Sequence, residues 1–114
     1  MILIHMKTNR TIAKNIKIAD SFFSRLIGLT FVKEMKGMDA LLLVPGNSIH
    51  NCFVRFAIDV IFIDKENKVV KVIRGFKPWR FTRIYFSANK VLEMKAGTLI
   101  ADIEKGDQLE VRGV

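Results

Sequence analysis

The apolar residues of the chain occur in short runs that are separated by turn residues. Runs of this length, rich in isoleucine and valine, are typical of β-strands. The clearest alternation of apolar and polar positions is in "QLEVR", where Leu109 and Val111 would share one face. The runs that predict strands are "MILIHM", "TIAKNIKIA", "LLLV", residues 48–54, residues 58–63, "KVVKVI", "FTRIYF", "KVLEM" and "QLEVR".

Turn signals lie between several of these runs. "DKEN" predicts a hairpin in which Asn67 adopts a positive φ and Asp64 braces the turn. Pro45-Gly46 would end "LLLV", and "RGFKPWR" reads as a loop that Pro78 interrupts. The imperfect alternation in "TIAKNIKIA" predicts a bulge within one strand.

Two segments favour helical structure. "ADSFFSRLIGL" predicts a short helix that Asp20 or Ser21 caps and Gly28 ends. "AGTLIADI" predicts a single helical turn with Thr98 as its cap. We therefore expect one mainly β domain over residues 1–114, at the margin of the α+β class. It would be a small, closed or nearly closed β-barrel-like domain of about eight short strands with one or two short helices, because closure removes exposed strand edges.

The charge of the chain is unevenly distributed. Its formal net charge is +8, from 19 basic and 11 acidic side chains. No acidic residue occurs between Asn67 and Leu92. This asymmetry predicts a basic face that attracts anions, although a merely solvated surface would have the same composition. The bases of this segment are Lys68, Lys71, Arg74, Lys77, Arg80, Arg83 and Lys90.

The N-terminal run and the cysteine content indicate where in the cell the protein is expected. The apolar run at the N-terminus is too short for a secretory signal, and no run is long enough for a membrane span. Cys52 is the only cysteine and has no partner for an internal disulfide. We therefore expect a cytoplasmic protein without a membrane span.

Asp59 is the most unusual residue of the predicted core. It lies on the strand 58–63, both faces of which are apolar. A carboxylate there must gain hydrogen bonds or a cation, or else its pKa rises until it is neutral. Asp59 would either fix the fold, through the backbone of the bend 55–57 or an arginine, or line a pocket.

Two further kinds of chemistry are weakly indicated near Asp59. His50 and Cys52 share a face of one predicted strand, but their spacing aims them poorly as a nucleophile and base. The spacing of His5, His50, Cys52 and Asp59 matches no compact zinc pattern, so we expect neither a metal site nor another cofactor.

The segment "RGFKPWRFTRIYF" combines bases with aromatic residues, as single-stranded nucleic-acid binders do. Its bases recur every third residue and would scatter over more than one face.

The motifs around this region resemble a known family. "IHNCFVRFAIDVIFIDKENKVVKVIRGFKPWR", followed by "VLEMKAGT" and "KGD", is similar to domain-of-unknown-function family 192, and "SRLIGL" and "GMDALLLVPG" extend the resemblance to residues 21–107. The resemblance implies a small β-rich fold and no agreed activity. The chain departs from the family pattern at Asn51-Cys52, Val54, Ala57 and Lys95, which puts a cysteine mechanism in doubt. The best matches are Arg25, Gly28, His50, Asp59, Asp64, Pro78, Trp79, Glu93, Ala96 and Gly97.

Three functional hypotheses follow. The first is a non-catalytic module with a basic cleft for the anionic groups of a small molecule or protein partner, because arginine and indole suit carboxylates and phosphates. The second is a hydrolase in which Asp59 and His50 share acid–base work. The third is single-stranded nucleic-acid binding; no oligomeric state is indicated. The residues that would line the cleft are His50, Asp59, Lys77, Trp79 and Arg80, and those expected to be structural are Arg25, Gly28, Asp64, Pro78, Glu93 and Gly97.

Overall fold

The computed structural model describes residues 1–19, 35, 37–49 and 56–113. Within these ranges the chain is mainly β, and none of the described residues is helical. The strands are β1 (Ile2–His5), β2 (Arg10–Ala13), β3 (Ile16–Ala19), β4 (Ala40–Leu43), β5 (Ile58–Ile63), β6 (Val69–Phe76), β7 (Lys90–Lys95) and β8 (Leu109–Arg112).

The eight strands form two sheets. The smaller sheet has the order β2-β1-β8 and is antiparallel. The larger sheet has the order β3-β4-β7-β5-β6, in which only the pairing of β3 with β4 is parallel. An isolated antiparallel bridge between Lys68 and Gln108 joins the start of β6 to β8. No helix in the described part of the chain is long and apolar enough to cross a membrane.

The central strand β5 separates two layers of the core. Ile61 and Ile63 pack into one apolar cluster, whereas Ile58, Val60 and Phe62 pack into the other. All six residues of β5 are buried. The prediction of a strand over residues 58–63 that is covered on both faces is therefore confirmed.

The predicted barrel is wrong for the described residues, because the two sheets do not close. β2 and β3 stand at the free ends of their sheets and do not pair with each other. "TIAKNIKIA" forms these two strands rather than one bulged strand. The Asp39 carboxylate fixes the break, since its Oδ2 accepts hydrogen bonds from the amides of Lys14 at 2.9 Å and Asn15 at 3.2 Å.

Two other local predictions are wrong. "FTRIYF" forms no strand apart from a bridge residue at Phe81. The amides of Thr82 and Tyr85 donate instead to the carbonyls of Ile49 and Asn47, which are not part of a strand. "AGTLIADI" forms turns rather than a helical turn, and the Thr98 hydroxyl donates back to the Lys95 carbonyl. The helix predicted in "ADSFFSRLIGL" lies almost wholly outside the described residues, as do positions 50–54 of the strand predicted over 48–54.

The hairpin between β5 and β6 forms as predicted. Asn67 has a φ of 62°. The Asp64 carboxylate accepts hydrogen bonds from the amides of Glu66 at 2.9 Å and Lys68 at 2.8 Å. β6 then continues to Phe76, so the first residues of "RGFKPWR" extend the strand and the loop begins at Lys77.

Candidate functional site

Asp59 lies on β5 in the interior of the protein. Only 2% of its surface is exposed. Its Oδ1 accepts a hydrogen bond from the amide of Gly75 at 3.0 Å. Its Oδ2 accepts bonds from the amides of Gly97 at 2.9 Å and Leu99 at 3.3 Å. The prediction that neighbouring groups compensate this carboxylate is confirmed, and the described donors are backbone amides.

The local sequence explains why these amides converge. β6 bulges opposite Asp59, because Ile58 pairs with Phe76 while Val60 pairs with Ile73. Gly75 in the bulge has a φ of 64°, and Gly97 after β7 has a φ of 87°. Glycine adopts this left-handed conformation without steric cost, so both amides can turn toward the carboxylate. Asp59 thus ties the bulge to the turn after β7. This is a fold-fixing role, but its described donors are these amides and not the bend 55–57 or an arginine, as expected from the sequence.

Arg74 reinforces this tie from the same bulge. Its guanidinium donates to the carbonyls of Leu99 at 3.3 Å, Ile100 at 2.8 Å and Ala101 at 3.2 Å. The carboxylate of Asp59 and the guanidinium of Arg74 therefore hold the segment 97–101 through its amides and carbonyls respectively.

Lys77, Trp79 and Arg80 follow β6 and lie at the surface. All three are exposed, and Trp79 is 58% exposed. Trp79 also has a φ of 65°, a conformation that bulky residues rarely adopt. The half-buried Pro78 precedes it. The three residues therefore lie on one exposed loop, and a cleft that they share with His50 and Asp59 stays a prediction.

Contacts of Thr82 and Tyr85 anchor the residues that follow. The Thr82 amide donates to the Ile49 carbonyl at 2.9 Å and the Thr82 hydroxyl accepts from the Ile49 amide at 2.9 Å. The Tyr85 ring packs against Phe62 with ring centroids 4.4 Å apart. Between and beside these anchors, Phe81 is 76%, Ile84 47% and Phe86 86% exposed. We call residues 77–86 the basic aromatic loop.

The basic aromatic loop is a surface rather than the wall of a described hollow. Three hollows of about 440, 450 and 520 Å³ have walls built from described residues. None of their lining residues belongs to the segment 77–86. The ion pairs between described residues lie outside the basic aromatic loop, so they do not neutralise the lysine and arginines of the loop. These pairs are Lys7–Glu104, Arg10–Asp102, His5–Asp107 and Arg112–Glu110.

Several predicted positions lie apart from this loop or outside the described residues. His50, Arg25 and Gly28 belong to the ranges that the structure does not describe, so a pocket shared by His50 and Asp59 stays a prediction. Asp64 braces its hairpin, and Gly97 donates to Asp59. Among the described residues, no group of three or more His, Cys, Asp or Glu side chains is placed to hold a metal ion.

Glu93 is a second buried carboxyl. From the sequence it is identified only as a residue that matches the family pattern. It lies on β7 between Leu41 and Val60 of the flanking strands and is 3% exposed. Burial raises the pKa of Glu93 to about 8. Its placement could have been inferred from "VLEM", where one acid interrupts an apolar run, but its pKa depends on neighbours from other strands.

A family model, DUF192, described as an uncharacterised ACR, matches residues 4–111. The chain therefore belongs to this family of small β domains, and the resemblance read from its motifs is confirmed. It is 32% identical over 112 residues to a UPF0127 protein of Pyrococcus furiosus, covering 95% of this chain and 96% of the relative. A UPF0127 protein of Thermococcus sibiricus is 31% identical over 114 residues, covering 95% and 73%.

Two solved structures share the fold. One is described as a putative transcription regulator from Sinorhizobium meliloti, with a TM-score of 0.77 and 21% identity over 96% of this chain and 89% of that chain. The other is a protein of unknown function from Novosphingobium aromaticivorans, with a TM-score of 0.71 and 16% identity over 97% and 93%. At these identities the likeness concerns the fold alone.

Proposed function

We propose that this protein is a binding module whose basic aromatic loop engages an anionic partner, and that the partner is the surface of an acidic lipid membrane. The observation that carries the proposal is the exposure of Trp79, Phe81, Ile84 and Phe86 beside Lys77, Arg80 and Arg83. The loop binds and needs no catalytic group of its own. Its site is narrower than the cleft expected from the sequence, since Asp59 is buried beneath three amides.

The charge of the segment favours an anionic partner. No acid interrupts the sequence between Asn67 and Leu92. A basic side chain near an acidic lipid surface contributes about 1 kcal/mol of attraction. Lys77, Arg80 and Arg83 would therefore supply long-range attraction that weakens as salt rises.

The apolar side chains distinguish a lipid surface from a nucleic acid. Trp and Phe prefer membrane interfaces, where their rings contact both headgroups and acyl chains. Ile84 is aliphatic and has no planar face on which a nucleic-acid base could stack. A group of exposed large apolar residues marks an interaction surface, and this combination fits an apolar phase with a negatively charged boundary.

The backbone around Trp79 also supports a functional role. A bulky residue with a positive φ costs about 1–3 kcal/mol, and such conformations cluster at functional sites. Trp79 nevertheless has a φ of 65° and keeps more than half of its surface exposed. Burial of its indole therefore cannot be the main reason for the conformation.

The single tryptophan of the chain, Trp79, reports directly on this surface. Titration with phosphatidylglycerol vesicles should shift Trp79 emission to shorter wavelength, and phosphatidylcholine vesicles should have little effect. The double variant Lys77→Gln, Arg80→Gln should bind roughly 30-fold more weakly, since each base contributes about 1 kcal/mol. Phe81→Ser with Phe86→Ser should abolish the shift.

The matched control replaces two exposed lysines distant in sequence, Lys65→Gln and Lys105→Gln, with the same change in net charge. Equal weakening by both double variants would mean that net charge alone drives binding, and the proposal would fail. A Trp79 response to a single-stranded oligonucleotide but not to acidic vesicles would favour the nucleic-acid hypothesis instead.

A further inference from the structure

A buried imidazole at the end of β1 connects a hydroxyl to a carboxylate. His5 is fully buried. Its Nδ1 lies 2.8 Å from the Thr8 hydroxyl oxygen, and its Nε2 lies 2.7 Å from Oδ2 of Asp107. His5 ends β1, Thr8 lies in the β1–β2 turn and Asp107 precedes β8, so the folding of the three-stranded sheet brings them together.

The direction of the hydrogen bonds follows from the ionisation of Asp107. Burial raises the pKa of that carboxyl, but the hydrogen bonds from His5 and the Glu104 amide, together with the nearby charge of Lys7, outweigh it and hold the pKa below its usual range. An ionised carboxylate only accepts hydrogen bonds, so Nε2 of His5 donates to it. In the neutral ring Nδ1 then carries no proton and accepts from the Thr8 hydroxyl.

Thr8 stands at the solvent-exposed end of this hydrogen-bonded chain of three residues. Thr8 is exposed and forms part of the wall of a hollow of about 520 Å³. The opposite wall is the segment 101–104. A nucleophile hydrogen-bonded to a base, with the base oriented by a third group, beside a space for substrate, is the arrangement that activates a hydroxyl in acyl transfer.

We propose that Thr8, His5 and Asp107 form a hydrolytic centre that cleaves carboxylic esters in this hollow. The Oγ of Thr8 attacks the ester carbonyl while its proton passes to Nδ1 of His5. The C–O bond to the alcohol breaks, and the alcohol leaves with that proton. Water then attacks the acyl-threonine with His5 again taking a proton, and Thr8 is released with the carboxylic acid. The centre is independent of the basic aromatic loop and extends beyond binding.

The charged groups around the hollow restrict the charge of the esters that could bind there. Lys7 lines the hollow and can stabilise the oxyanion of the tetrahedral intermediate. Asp102 and Glu104 also line it, and they pair with Arg10 at 3.6 Å and Lys7 at 4.0 Å. Because each of these carboxylates is paired with a base, the charges around the hollow balance, and the expected substrates are neutral esters.

The test uses p-nitrophenyl acetate with the full chain. Wild type should release p-nitrophenolate and carry an acetyl group on Thr8 that mass spectrometry of peptides locates. Thr8→Val should slow the reaction at least about 100-fold, the lower limit of general-base catalysis, and lose the adduct. Thr98→Val is the matched control, since it removes another exposed hydroxyl, which bonds the Lys95 carbonyl.

Two more variants separate catalysis from folding. Thr8→Ser should retain the adduct at position 8, whereas Asp107→Asn should reduce acetylation and hydrolysis while circular dichroism still shows a folded protein. A wild-type rate equal to that of Thr8→Val, or acetylation at lysines without acetylation at Thr8, would overturn the proposal.

Discussion

Asp59 and Glu93 are both buried carboxyls of the five-stranded sheet, yet their surroundings differ. Asp59 accepts three amide hydrogen bonds. Glu93 lies among Leu41, Val60 and Val91, and desolvation favours its neutral form. A buried carboxyl therefore has three amide donors at position 59, whereas at position 93 burial raises its pKa to about 8.

The titration of Glu93 makes stability depend on pH. Its folded pKa is about 8 against an ordinary value of 4.5, so between these values the folded chain holds a proton that the unfolded chain has released. This contribution is greatest at low pH, and the free energy of unfolding falls by up to about 1.4 kcal/mol per unit as pH rises through this window. Glu93→Gln should remove that slope in urea unfolding measured at pH 5 and pH 8.

The exposed Glu66 provides the control, because Glu66→Gln should leave the slope unchanged. Asp107 does not interfere in this range. Its folded pKa is lowered, so its stabilisation is present above its unfolded pKa and is lost only as pH falls through the folded value. A Glu93→Gln variant that kept the full slope would show that another group titrates.

At the scale of elements, Asp59 joins β5 to the bulge of β6 and to the turn after β7. Asp59→Ala removes a buried acceptor from three amides, of which that of Leu99 is buried and those of Gly75 and Gly97 are part-buried, and each loss of a buried acceptor costs about 1–3 kcal/mol. We expect the variant to lose roughly 3 kcal/mol or more of its free energy of unfolding in urea titrations.

Asp64→Ala is the comparison, because Asp64 also accepts from backbone amides but in a solvent-facing turn. Water can replace its bonds, so the loss should be about 1 kcal/mol. Equal losses in the two variants would show that the burial of Asp59 is not what makes it important.

The elements that sequence reasoning identified are those set by local signals. The apolar run of residues 58–63 predicts β5, which is buried on both faces, and Asp64 and Asn67 predict the turn after it. The division of "TIAKNIKIA" into β2 and β3 depends instead on the carboxylate of Asp39, which is distant in sequence. A local pattern could not reveal it.

The same distinction applies to the site. Lys77, Trp79 and Arg80 are adjacent in sequence, and their shared exposure could be anticipated. The donors to Asp59 could not, because backbone amides are present in every residue and only the tertiary fold selects three of them. The contact between His5 and Asp107 likewise depends on β8 pairing with β1.

At the scale of the whole molecule, β8 links the two sheets. It pairs with β1, and the amide of Leu109 donates to the Asn67 carbonyl at 2.8 Å. The amide of Val69 donates to the Asp107 carbonyl at 2.9 Å. Because these bonds cross from one sheet to the other, neither sheet can lose its structure without exposing backbone groups of its neighbour.

We therefore expect the two sheets to unfold in one transition. In NMR spectra the ring signals of the buried Phe62 on β5 report on the larger sheet, and those of the buried His5 on β1 report on the smaller sheet. Their urea midpoints should coincide. Loss of the His5 signals at a lower urea concentration than the Phe62 signals would show that the smaller sheet unfolds separately.

β6 stands at one end of the larger sheet, and its bridge to β8 is at Lys68. Beyond that point the described chain supplies no further strand to its outer side. Such an edge can recruit a strand from another molecule and begin aggregation, and lysines on an edge strand oppose this by mutual repulsion. Lys71 is exposed on this part of β6 and Lys68 directly before it, so we expect part of the positive charge of this protein to keep its copies apart in concentrated solution.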